Sequence, residues 1–334
     1  MTMSNNTRII GGIVMIILIV WIIVATRGGQ LSGPLKIGVI VPLSGPFADY
    51  GEDVKKGILA AGTSTDIQLV FEDERCDPKE TVTAFHKLTD IDQVHFILGP
   101  GCGSPQEAIV PLLSTAKTVV VVPSAASRGL FAASGGYFFN IQYSLEDESK
   151  YVAETMDAKG LKKVALVTYG NAFSKTHGDS FRANFKGEIA VDTVLLDDNA
   201  NLLPELTKIK AAKVDAIYSP DISFFFAGAT AKLKQLGMTM PVYTTYVAEL
   251  PSVIPLVDGV YYSFPADIAE TGGAVFNLSK QAASTLIPLV AECRGDSDCV
   301  KDKLLASGKF DTSGVYKRGM ILKQIVKGGA GVVE

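Results

Sequence analysis

Apolar residues in this chain fall into short, nearly continuous runs separated by stretches with helical spacing. Val94 to Leu98 and Thr118 to Val122 are the clearest runs. They are rich in β-branched and aromatic residues and unbroken by alternation, which predicts strands of a parallel sheet covered on both faces. Upstream, Lys36 to Val41 and Ile67 to Phe71 predict further strands. A helix is expected from about Ala48 to Ala61, with Val54, Ile58 and Ala61 on one face, and another after Asp77-Pro78, with Val82, Phe85 and Leu88 inward. After a strand at Tyr137 to Gln142 the rhythm restarts. Strands at Lys163 to Thr168, Ile189 to Leu195, Val214 to Ser219 and Val242 to Thr245 alternate with helices near Glu146 to Ala158, Lys175 to Phe185, Leu203 to Ala212 and Ser223 to Leu236. A strand at Gly259 to Phe264, a long helix from about Ala274 to Ala291, a helix after Asp296 and a ribbon from Val315 to Val326 follow. Two successive doubly wound units predict an α/β fold of two Rossmann-like lobes with mostly parallel sheets.

The strand ends carry the candidate chemistry. Leu98 is followed by Gly99-Pro-Gly-Cys-Gly-Ser, with Ser104 expected as an N-cap and Pro105 at the first helical position. The backbone N–H groups of Gly103, Ser104 and the first turn then form an anion site. Ser124 and Ser127 add hydroxyls after the next strand. Ligands of open α/β sheets bind beyond the carboxyl ends of strands, so these neighbouring ends describe a small-molecule pocket. Ser104 and Ser124 serve equally as cap and turn former, since both roles use the same geometry.

Ile9 to Ala25 is an uncharged apolar run flanked by Arg8 and Arg27. We read it as a transmembrane anchor behind a short cytoplasmic tail (residues 1–8) and ahead of a linker (26–34), with a cleaved signal segment as the alternative. The four cysteines, Cys76, Cys102, Cys293 and Cys299, lack metal-ligand spacing; an even count then favours disulfides and an oxidising compartment. With 334 residues there is room for two α/β domains, and a net charge of −4 without basic runs argues against nucleic acid. Ser104 breaks a dinucleotide fingerprint, and there is no phosphate-binding G-x-x-x-x-G-K-[ST], no H-E-x-x-H and no G-x-S-x-G. His86, His95 and His177 read as structural, and Glu72-Asp73-Glu74 is too bunched for a calcium loop. No cofactor, no metal and no catalytic role are expected.

Five segments carry a resemblance: Leu43-Ser-Gly-Pro-Phe-Ala-Asp-Tyr-Gly after the first strand, Cys76-Asp-Pro-Lys, Gly99 to Ser104, Val122-Pro-Ser-Ala-Ala-Ser and Phe310-Asp-Thr-Ser-Gly. In this order, from about Leu35 onward, they resemble the type I periplasmic solute-binding proteins of ABC transporters, in particular the leucine/isoleucine/valine-binding branch. The resemblance implies two lobes, residues 35–141 with 265–311 and 142–264 with 312–334, joined by three hinge crossings near Ile141 to Leu145, Tyr262 to Pro265 and Asp311 to Lys317. It implies a Cys76–Cys102 disulfide; Cys293 and Cys299 lie outside the pattern and are read as a local bridge. The family's carboxylate-binding groups fall on Gly103 or Ser104 and on Ser124, Ala125 and Ala126, its covering aromatic on Tyr50 and a second-lobe aromatic on Phe173. Ile222 replaces a family tyrosine, and Tyr246 stands where an acidic residue grips the ammonium, leaving Asp221 or Glu249 as substitutes. Ala126 lacks a family hydroxyl that Ser124 or Ser127 would replace. The implied function is extracytoplasmic capture of a small solute, an amino acid or a related carboxylate or amide, by a monomer that delivers it to a membrane permease. The alternatives are a ligand-sensing ectodomain and, with less support, an α/β hydrolase or amidase.

Overall fold

The computed structural model describes residues 33–62, 66–196, 201–268, 273–326 and 329–333. The apolar runs become the strands of the first sheet: Leu35–Val41 (β1), Ile67–Asp73 (β2), Phe96–Leu98 (β3), Val119–Val122 (β4) and Phe138–Asn140 (β5). They pair in parallel in the order β2-β1-β3-β4-β5. All four valines of β4 are fully buried, as a strand covered on both faces requires. Each contributes roughly 1.5–3 kcal/mol of burial.

The helices between these strands are Ala48–Ala60 (α1), Pro78–His86 (α2), Gly103–Ala116 (α3) and the single turn Leu130–Ala133 (α4). Asp77 caps α2 by accepting from the N–H groups of Lys79 and Glu80, with Pro78 at its first turn. Phe85 and Leu88 are buried as expected, Val82 is half-buried against the core, and Thr81 and Ala84 complete the inward face. The expected cap at Ser104 is displaced. Helix α3 begins two residues earlier, with Cys102 as the extended N-cap and no side-chain bond. Cys102 is tied to Cys76, which fixes where the extended chain ends and leaves Ser104 already inside the first turn.

The second sheet has seven strands: Lys163–Tyr169 (β6), Glu188–Leu195 (β7), Ala216–Tyr218 (β8), Val242–Thr244 (β9), Tyr261–Pro265 (β10), Met320–Val326 (β11) and Gly329–Val332 (β12). Its order is β12-β11-β10-β9-β8-β6-β7, parallel except where β11 meets β10 and β12. Helices Leu145–Ala158 (α5), Ala172–Asn184 (α6) and Leu203–Ala212 (α7) accompany it. The helix expected from Ser223 to Leu236 is broken into Ser223–Phe226 (α8) and Ala229–Gln235 (α9), because Gly228 takes a left-handed φ of 75°. Gly273–Glu292 (α10) returns to pack on α1 of the first sheet, followed by Ser297–Ala306 (α11).

The chain therefore passes between the sheets after β5, after β10 and after α11. The first and third passages are bonded to each other: Asn140 bridges Val315, and the N–H of Tyr316 donates to Asn140 O at 2.8 Å. Arg128 pairs with both Asp147 and Asp311 across the same region. Among the described residues no helix is long and apolar enough to cross a membrane, and the expected anchor at Ile9 to Ala25 lies outside the described residues.

Candidate functional site

Between the two sheets, the turn after β3 is held from three sides. Cys102 is bonded to Cys76, the Gly101 N–H donates to Glu74 Oε1 at 3.1 Å, and Gln106 Nε2 donates to Pro100 O at 3.1 Å and Ser124 Oγ at 2.8 Å. This arrangement directs the start of α3, with the Gly103 and Ser104 backbone, into the cleft. Tyr50 from α1 packs against the turn. A Cβ on Gly101 would lie 2.4 Å from its Cε1, so only glycine fits there. Tyr50 Oη donates to Gly101 O at 3.3 Å, and burial pushes the phenol well above its ordinary value.

Glu74, at the end of β2, is wholly buried beneath this turn, and burial pushes its carboxyl up to about 8. The geometry agrees. Thr81 Oγ1 is 2.7 Å from Asp77 O, which only accepts, so its single proton goes there and a protonated Glu74 can donate to Thr81 across 3.1 Å. Glu74 also lies near the Cys76 and Cys102 sulfurs, but these are joined in a disulfide and offer no thiolate to a metal.

The second lobe supplies the opposite wall. Asn171 caps α6, its Oδ1 accepting from the Ser174 N–H at 2.8 Å, while its Nδ2 donates to Asp221 Oδ2 at 2.8 Å. Asp221 follows β8, is 4% exposed, and its Oδ1 accepts from the Ser223 N–H at 3.0 Å. Phe173, in the first turn of α6, abuts the first lobe: a Cβ on Gly103 would sit 3.4 Å from Phe173 Cβ. Tyr246 opens the short 3-10 turn Tyr246–Glu249 after β9. Burial, then Tyr50 and Glu148, push its phenol up, and it lines the same cavity as Tyr50 and Ala125 of the first lobe.

Together these walls enclose a cavity of about 260 Å³. It brings together Tyr50, Gly103, Ser104 and Ala125 with Phe173, Asp221 and Tyr246. Ser124 and Ala126 do not line it: Ser124 is held by Gln106, and Ala126 bridges Ser144 at the first passage. Ser127 is likewise turned away, donating to Glu146 at 2.7 Å. Glu249 is held elsewhere by Lys323 Nζ at 2.8 Å and Tyr262 Oη at 2.6 Å. Phe224 and Phe225 are lobe core, and Phe226 faces solvent. Phe47, Asn171, Ser223, Val247 and Leu250 also line the cavity and were missed by sequence reasoning; of these only Asn171 had a local signal, since an Asn ahead of a helical segment is a recognised cap. A larger groove of about 810 Å³ lies on the second lobe beside α9, but it gathers no polar groups from the facing lobe.

Among the described residues lining the cleft cavity, Asp221 carries the sole formal charge, and no Lys, Arg or His takes part. The disulfides Cys76–Cys102 and Cys293–Cys299 account for all four cysteines.

The family model described as periplasmic binding protein matches residues 34–274. The Leu/Ile/Val-binding protein BraC3 of Rhizobium johnstonii is 28% identical over 202 residues, 55% of this chain and 53% of that protein. The chain thus spans about half the length of the curated relatives it matches. In fold it is similar to the branched-chain amino acid transporter substrate binding protein LivJ of Streptococcus pneumoniae in complex with isoleucine, with a TM-score of 0.77, 21% identity, and coverage of 90% of this chain and 99% of that one. It is similar also to an ABC transporter solute binding protein from R. palustris in complex with 4-hydroxybenzoate, with a TM-score of 0.76, 20% identity, and coverage of 90% and 96%. With a two-sheet α/β body, a cavity between the sheets and relatives named as binding proteins, the chain belongs to the periplasmic binding protein family.

Proposed function

We propose that this chain captures a small zwitterionic solute, an amino acid with an apolar side chain, between its two lobes and delivers it to an ABC transporter permease on the outer face of the membrane. The lobes are residues 35–141 with 265–311 and 142–264 with 312–334. The solute carboxylate rests on the backbone N–H groups of Gly103, Ser104 and Ala125, and its ammonium on Asp221. Closure follows from contacts made with both lobes at once.

The observation that carries this reading is the charge of the cavity. Asp221 is almost wholly buried and accepts from the Asn171 amide and the Ser223 N–H, and among the described residues no Lys, Arg or His lines the cavity beside it. A simple anion would add a second desolvated negative charge to the same small space, whereas an ammonium compensates the one already there. Apolar contact comes from Phe47, Phe173, Val247 and Leu250. The names of the Leu/Ile/Val-binding relatives point the same way. A second reading, an aromatic carboxylate, is favoured by the aromatic lining and by the 4-hydroxybenzoate neighbour, but it leaves Asp221 uncompensated. Two disulfides support an oxidising, extracytoplasmic location, with Ile9 to Ala25 as its export signal or anchor.

The test is a thermal-shift screen of the protein against isoleucine, leucine, valine, benzoate and 4-hydroxybenzoate, since a ligand that binds the native form alone raises its melting temperature. Upward shifts with the amino acids support the reading. Shifts with the benzoates alone reject it in favour of the aromatic acid.

A further inference from the structure

Behind the cleft wall lies a buried polar cluster that ligand contact does not explain. Glu148, in the first turn of α5, and His177, in α6, are both wholly buried, with Nε2 and Oε2 2.9 Å apart. Glu148 Oε1 also accepts from Tyr143 Oη at 3.1 Å and from Ser263 Oγ. Tyr143 belongs to the first passage between the sheets, and Ser263 lies in β10, which leads into the second. His177 Nδ1 is 3.0 Å from Phe173 O, and its ring lies 4.4 Å from the Phe173 ring, centre to centre. One carboxylate therefore joins both passages to the helix turn that carries a cleft aromatic.

The protons can be assigned from the partners. A backbone carbonyl only accepts, so His177 Nδ1 carries a hydrogen. Nε2 and Oε2 must then share one proton, since without it a nitrogen lone pair would face a buried carboxylate. Burying this acid is tolerable only because several donors converge on it, and the N-terminal turn of α5 adds a favourable field.

Building on the solute-binding reading, we propose that Glu148 and His177 are positioning residues: through one shared proton they fix Phe173 to the chain passages between the lobes, so that closure brings the aromatic wall onto the solute as a single unit. Neither residue touches the solute.

The experiment compares Glu148→Leu, which removes every acceptor at similar volume, with Glu148→Gln, which keeps an oxygen for Tyr143 and Ser263 and offers an N–H to a neutral His177. Isoleucine association and release are followed by stopped flow in the full protein. Glu148→Leu is expected to release isoleucine about tenfold faster, with association changed by less than about twofold, because lost buried bonds act on the closed state. Glu148→Gln is expected to stay within about threefold of wild type, and Ser263→Ala to fall between the two. A folded Glu148→Leu with wild-type release overturns the proposal, even if its melting temperature drops. So does a Glu148→Gln variant as impaired as Glu148→Leu. If Glu148→Leu does not fold, Ser263→Ala decides by the same comparison. If wild type takes up no isoleucine, the amino-acid reading fails separately. Small-angle scattering of the ligand-free variants then decides here: a radius of gyration larger in Glu148→Leu than in Glu148→Gln supports the proposal, and identical profiles overturn it.

Discussion

Asn171 donates its side-chain amide to Asp221 across 2.8 Å, while its carbonyl oxygen caps the helix that carries Phe173. One short residue thus holds both the acid and the aromatic of the second lobe in place. Asp221→Asn should weaken isoleucine binding by about ten- to a hundredfold, the cost of leaving a buried ammonium without its charged partner. Binding of 4-hydroxybenzoate should be unchanged or improved, because the like charge is gone. Isothermal titration of both ligands against both proteins checks the crossed pattern.

Gly101 and Tyr50 are matched in shape. Gly101→Ala places a methyl 2.4 Å from Cε1 of Tyr50, which must shift toward the cavity it lines. We expect a stability loss of about 1–3 kcal/mol and a weaker solute site as Tyr50 is driven outward. Tyr50→Leu in the same chain should recover much of the stability, an interaction that a double-mutant cycle in urea measures.

Glu74 gives the protein a pH-dependent stability. Its carboxyl stands at about 8 in the folded chain against an ordinary 4.5. Between those values the unfolded chain has released the proton that the folded chain retains, so stability falls as pH rises from about 4.5 to about 8 and levels off above. Glu74→Gln should flatten this fall, its advantage over wild type growing with pH to on the order of a few kcal/mol. Melting curves at pH 5, 7 and 9 test it, and parallel curves for the two proteins would refute it.

The two disulfides differ in reach. Cys76–Cys102 closes a separation of 26 residues and Cys293–Cys299 one of 6. Chain entropy assigns roughly 3–4 kcal/mol to the first and about 2.4 kcal/mol to the second. Replacing the first pair by serine should therefore cost more in urea unfolding. It should also weaken the solute site, because the turn before α3 is released.

The strand runs were legible because burial on both faces leaves no polar residue in them, as Val119 to Val122 illustrates. The bounds of α7 likewise followed from spacing alone. What local pattern missed was decided by distant partners. Ser104 lost its capping role to Cys102, whose position depends on Cys76. Ser124 was drawn away by Gln106, and Glu249 by Lys323, which is 74 residues further along. Asp221 and Glu249 look equivalent in sequence, and only their partners separate the cleft acid from the structural one. The break at Gly228 had a visible cause, but helical spacing continued through it.

The most direct measurement is a crystal structure grown with saturating isoleucine. The account predicts the solute between the lobes, its carboxylate within hydrogen-bond distance of the Gly103, Ser104 or Ala125 N–H groups and its ammonium on Asp221. Isoleucine bound outside this cleft, or bound within it with Asp221 turned away from the ammonium, would contradict it.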